Sequence, residues 1–109
     1  MKITLKDLQN KGIYKDWKEW FIENFRWDIQ IDIEDLKIKL IEQKEDRFLK
    51  WLYINYKLSG EYIGYWDNGS VFIKCFYKKG KLDGEYIKYD ENEEIIEKSY
   101  YKKGEKIKW

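Results

Sequence analysis

Gly60-Glu61-Tyr62-Ile63-Gly64-Tyr65-Trp66-Asp67-Asn68-Gly69 returns 24 residues later as Gly84-Glu85-Tyr86-Ile87-Lys88-Tyr89-Asp90-Glu91-Asn92-Glu93. The copy continues without a gap, so that Lys74 meets Lys98 and Tyr77-Lys78-Lys79-Gly80 meets Tyr101-Lys102-Lys103-Gly104. Eleven of the 24 aligned positions are identical, too many for composition bias to explain comfortably. Self-similarity at a fixed period marks a stacked supersecondary unit. Each unit reads as two strands with a period of two, residues 61–66 and 71–78 in the first copy. Asp67-Asn68-Gly69-Ser70 lies between them, and Asn-Gly is a strong signal for a tight hairpin. Glu93 replaces Gly69 in the second copy, which predicts a looser turn there or one of another type.

The phase extends backwards. Tyr53, Lys57, Leu58 and Gly60 match Tyr77, Lys81, Leu82 and Gly84, which would make residues 48–55 a strand. The same segment puts Phe48, Leu49, Leu52, Tyr53 and Tyr56 on one helical face, and the helix is the favoured reading. Upstream the period is helical throughout. Thr4 with Asp7 resembles a capping box, and Gly12 can end the helix it opens. Asp16 is expected to cap a second helix carrying Trp17, Trp20, Phe21 and Phe25 as one stripe. Asp32 and Asp35 precede a third with Ile33, Leu36, Leu40 and Ile41, after a short extended linker in which Ile29, Ile31 and Ile33 alternate. The expected fold is α+β: a single domain, residues 1–109, with a mainly helical part (1–56) packed on an antiparallel β-meander of hairpin repeats (57–109).

Gly60-Glu61-Tyr62 through Tyr65-Trp66-Asp67-Asn68-Gly69, then Tyr77-Lys78-Lys79-Gly80-Lys81-Leu82-Asp83-Gly84-Glu85-Tyr86, resembles the variant MORN repeat, the form associated in bacteria with antitoxin components. The resemblance covers about residues 57–109. It implies a meandering sheet used as a binding or scaffolding surface, with no catalytic residues to carry over. Family members usually hold more units in tandem, and this chain has two behind a helical preface.

The chemistry that is missing points the same way. The chain has no His, which removes the commonest general base, and one Cys, which permits no internal disulfide. Cys75, among Phe72, Ile73, Phe76 and Tyr77, reads as a small buried hydrophobe, and no zinc site is available from one thiolate without imidazole. The glycines form no phosphate loop. Asp90, Glu91, Glu93 and Glu94 lack the ordered spacing of a calcium loop and read as a solvated turn. We therefore expect a non-enzyme with no cofactor. No apolar run approaches transmembrane length and the first residues do not read as a signal peptide, so a cytoplasmic chain is expected.

Charged residues make up 39% of the chain but nearly cancel to +1. That leaves no global basic field for nucleic acid. Aromatics reach 19%, and Tyr and Trp are typical interface anchors. The expected partner is accordingly a larger protein, which the chain would neutralise as an inhibitor or antitoxin. An AT-rich composition of this kind also fits a phage or mobile element, with a host defence nuclease as that partner.

Two surfaces are candidates. Ile63, Tyr65, Ile87 and Tyr89 share one side of the sheet and are expected to pack on the helices. That leaves Tyr62, Trp66 and Tyr86 on the other side as a contact patch, with Gly64 as a shallow recess. Lys79, Lys81, Lys102 and Lys103, near Lys78, Lys106 and Lys108, fall at one sheet end, with the acidic turns at the opposite end. Through these lysines, with Tyr77, Tyr101 and Trp109, the alternative is binding of RNA, DNA or anionic lipid.

Overall fold

The structure is a computed structural model and describes residues 1–26 and 28–107; the expectations placed on Lys108 and Trp109 lie outside the described residues. The chain is α+β and divides into two compact units, Met1–Gln43 and Lys44–Trp109.

The first unit runs β1 (Lys2–Thr4), α1 (Leu5–Asn10), α2 (Lys15–Asn24), β2 (Gln30–Asp32) and α3 (Ile33–Glu42). The capping box forms: the Asp7 N–H donates to Thr4 Oγ1 at 3.2 Å and the Thr4 N–H to Asp7 Oδ2 at 2.8 Å. Asp32 caps α3 by accepting from the Glu34 N–H at 2.9 Å. Asp16 is not a cap. Helix α2 starts one residue earlier, behind Tyr14, so Asp16 sits in the first turn, where its charge complements the helix dipole. The stretch read as an extended linker is strand β2, which pairs with β1 through Ile3 and Ile31. Leu8, Phe21, Leu36 and Leu40 are fully buried.

The second unit begins with α4 (Asp46–Asn55), which settles residues 48–55 as helix. It continues with β3 (Gly60–Tyr65), β4 (Val71–Lys78), β5 (Lys81–Leu82), β6 (Gly84–Tyr89), β7 (Ile95–Lys102) and β8 (Glu105–Ile107). The sheet order is β3-β4-β6-β7-β8, with the short β5 also on β4, and every pairing is antiparallel. The helix-to-sheet change read at residues 56 and 57 therefore falls inside this unit, and α4 belongs with the strands it packs on.

The backbone repeats as the sequence does. Trp66 N–H donates to the Ser70 carbonyl at 2.8 Å, and Asp90 N–H to the Glu94 carbonyl at 2.8 Å. Each loop is three residues long, a tight turn closed by one residue with positive φ: Gly69 at 89° and Glu93 at 68°. The second turn is thus neither looser nor of another type. Glu93 adopts the conformation that suits glycine, at a cost of roughly 1–2 kcal/mol. Both hairpins also carry a bulge at the same place, between Gly64 and Tyr65 and between Lys88 and Tyr89. The joints match as well: Gly80 N–H donates to the Leu58 carbonyl at 2.9 Å and Gly104 N–H to the Leu82 carbonyl at 2.8 Å. The backward phase thus survives in Lys57–Gly60 and is lost only where α4 begins.

Candidate binding surfaces

Antiparallel register decides which side chains share a face. Tyr62 pairs with Cys75, Gly64 with Ile73 and Gly60 with Tyr77, so these residues line one side of the first hairpin. Helix α4 covers that side. Tyr53 is 1% exposed, its ring stacks on Tyr77 at 5.3 Å, and its hydroxyl donates to the Glu61 carbonyl at 2.9 Å. Tyr62, Ile73, Cys75 and Tyr77 are buried, whereas Phe76 on the opposite side is 40% exposed.

The expected face assignment is therefore inverted for this hairpin. Tyr62 is core, 4% exposed, and cannot be a contact residue of the folded chain. The return strand held the signal. Ile73, Cys75 and Tyr77 alternate with Lys74, Phe76 and Lys78, and the lysines mark the open side. The strand 61–66, with apolar residues on both sides, could not. Gly64 is not an open recess either: a Cβ there would lie 2.9 Å from Ile73 Cγ2 and 3.3 Å from Asp46 Oδ2, because the start of α4 rests on it.

The same side of the second hairpin differs. Tyr86 and Tyr101, the counterparts of Tyr62 and Tyr77, pack at 5.1 Å but stay half-buried. Lys88 stands where Gly64 does, Glu97 where Ile73 does and Ser99 where Cys75 does. Within this unit no described helix covers these residues. Glu97 accepts from Ser99 Oγ at 2.8 Å and pairs with Lys106 at 3.4 Å. The Ser99 bond, then Lys106, hold its carboxyl below the usual range. Burial, followed by the Glu97 charge, pushes the Tyr86 phenol up.

Trp66 joins the two hairpins. Its indole N–H donates to the Tyr89 carbonyl at 3.1 Å, and its ring meets Phe72 edge-on at 4.5 Å. Phe72 is the extra residue of the bulge, and Lys88 Nζ lies 5.6 Å from its ring centroid. Between this cluster and α4 runs a groove of about 410 Å³. Tyr65, Trp66, Phe72 and Tyr86 line it, with Asp46, Arg47 and Lys50 of α4 as a charged wall. Phe72 and the α4 residues were missed by sequence reasoning. The bulge that turns Phe72 has no one-residue signature, although Asp46, Lys50 and Tyr53 at i, i+4 and i+7 mark one edge of α4.

Cys75 lies at the buried floor of the groove, and burial pushes its thiol up to about 11. Burial likewise pushes Tyr77 up to about 12 and raises Tyr62 further, with the Asp46 carboxylate as a second cause. A protonated, enclosed thiol is a poor nucleophile.

The lysine end is assembled as read. Lys79, Lys81, Lys102 and Lys103, with Lys78 and Asp83, line one recess of about 410 Å³. Among the described residues these five lysines make no ion pair, and Asp83 accepts from the Lys103 N–H at 3.3 Å. The two hairpin tips adjoin at the other end, where Asn68 Nδ2 donates to the Glu91 carbonyl at 3.3 Å. Asp90 there accepts from the N–H groups of Asn92 and Glu94, which is a turn-former's role. No described helix is long and apolar enough to cross a membrane. Comparison with protein families, curated proteins and solved structures finds no match to this chain.

Proposed function

We propose that the chain is a non-enzymatic protein-binding module of MORN-like build, an inhibitor or antitoxin-like protein that caps a larger partner. One observation carries this reading. The second hairpin leaves Tyr86 and Tyr101 half-buried on the side where α4 closes over Tyr62 and Tyr77 in the first. Half-buried aromatics beside a charged rim suit a binding hot spot. Trp66 and Tyr86 remain contact residues in this reading, and Tyr101, Phe72 and Arg47 join them.

The test is capture from a cell lysate on the tagged chain at about 0.1 and 1 M salt, where the Debye length falls from roughly 10 to 3 Å. A protein partner held by aromatics survives the high salt and is lost from Tyr86→Ala. Retention of only nucleic acid, stripped by salt, would overturn the reading.

The lysine recess favours a second reading, binding of a nucleic-acid backbone. Lys79→Glu with Lys103→Glu would then abolish retention of RNA or DNA while leaving the Tyr86→Ala variant's retention intact.

A further inference from the structure

The sheet repeats its pairing as well as its strands, and one pairing slot is unfilled. In the first hairpin Lys74 is paired on both sides, with Ile63 of β3 and Ile87 of β6, and Ile73 likewise with Gly64 and Lys88. Their counterparts Lys98 and Glu97 pair only inward, with Ile87 and Lys88. Strand β8 reaches Tyr100–Lys102 alone, where it stands to β7 as β5 stands to β4. Among the described residues nothing takes the place that β6 occupies on β4.

The backbone groups of this slot face outward. The Asp83 N–H donates to the Phe76 carbonyl at 2.9 Å, so Phe76, and by alternation Lys74, turn their backbone groups toward β6. One repeat later the same orientation turns Tyr100 toward β8 and Lys98 toward open space. Ile95 and Ile96, at the start of the edge, are 56% and 58% exposed. The opposite edge of the sheet is closed: Tyr53 of α4 bonds the Glu61 carbonyl at 2.9 Å and Asp46 meets the Tyr65 N–H at 3.5 Å. Head-to-tail stacking of β3 from a second copy onto β7 would have to displace α4.

We propose that the β7 edge at Glu97–Lys98 docks an extended strand of the partner protein, in the place that β6 takes on β4. The chemistry of that strand follows from the template. It continues the β4–β6 ladder, places a lysine against Glu97 as β6 places Lys88 against Ile73, and sets an apolar residue against the Lys98 position as β6 sets Ile87 against Lys74. Main-chain hydrogen bonds supply affinity in strand addition and alternate side chains supply selection. The proposal rests on the protein-binding reading and names how the partner engages.

The probe is a peptide of the β6 sequence, Asp83 to Asp90, added at millimolar concentration to the whole chain while amide hydrogen exchange is followed by NMR. In the free chain the Lys98 amide exchanges fast and the Lys74 amide slowly. The peptide slows Lys98 by about tenfold or more, and the same peptide carrying Ile87→Pro, which lacks the central donor, does not. Tyr86→Ala leaves this protection in place, so loss of lysate capture by Tyr86→Ala with no peptide effect would sink the strand slot alone. A free-chain Lys98 as protected as Lys74, equal action of the proline peptide, or Lys98 protection that grows with the protein's own concentration would each overturn it, the last in favour of a second copy.

Discussion

The hairpins at residues 60–78 and 84–102 share their turns, bulges and joints, yet one is the core of its unit and the other is surface. The backbone therefore does not decide the difference. Three substitutions do. Gly64, Ile73 and Cys75 admit and grip α4, and Lys88, Glu97 and Ser99 at the same positions would refuse it. Glycine lets the start of the helix touch the sheet, isoleucine and cysteine fill the contact, and the tyrosines common to both hairpins become core in one and half-buried contact groups in the other. A repeat can thus supply its own cap and its own binding face from one template, as terminal units of repeat proteins do.

The comparison breaks most visibly at Gly64. Gly64→Lys gives the first hairpin the second one's residue, and its Cβ would meet Ile73 and Asp46 at 2.9 and 3.3 Å. Overpacking plus a buried charge should cost about 2–4 kcal/mol in urea unfolding. Lys88→Gly in the second hairpin should cost about 1 kcal/mol or less.

Alkaline titration separates the hairpins less sharply. The folded pKa of Cys75 is raised from an ordinary 9.0 to about 11. The thiol therefore favours the folded state fully below about pH 9, and that contribution is lost as pH rises toward 11. Tyr77 acts in the same sense, from 10.0 to about 12. Stability should fall by about 1–2 kcal/mol between pH 9 and 11, and Cys75→Ser should flatten the early part of that fall. Unchanged stability across this window would mean that the thiol is not enclosed.

The smallest effect lies in the turns. Glu93→Gly should raise stability by about 0.5–1 kcal/mol, because it relieves a φ of 68° on a residue with a Cβ. No gain, or a loss, would mean that the two turns are not equivalent in solution.

How far the residues announced all this depended on whether the signal was local. The repeat, the strands at 61–66 and 71–78, the helix at 48–55 and the clustering of Lys79, Lys81, Lys102 and Lys103 were legible, because period and spacing are read along the chain. The covered face was not. It required the cross-strand partner of Tyr62, and the pairing with Cys75 joins residues 13 apart whose register the turn sets. Trp66 and Tyr86 were found, but for a face that was wrongly drawn at Tyr62. The groove wall from Asp46, Arg47 and Lys50 needed the helix to be placed on the sheet, which no window of sequence contains. The β1–β2 pair escaped because its strands are three residues long.

The central claim is that one tyrosine position has opposite roles in the two hairpins, and alanine substitution at Tyr62 and at Tyr86 tests it most directly. Each variant is unfolded in urea and then assayed for retention of the captured partner. Tyr62→Ala should lose about 3–5 kcal/mol of stability. Tyr86→Ala should lose about 1 kcal/mol while binding falls by roughly tenfold or more, the loss expected of a contact residue worth at least 1.4 kcal/mol. Equal destabilisation by the two variants, or undiminished binding by a folded Tyr86→Ala, would contradict the account.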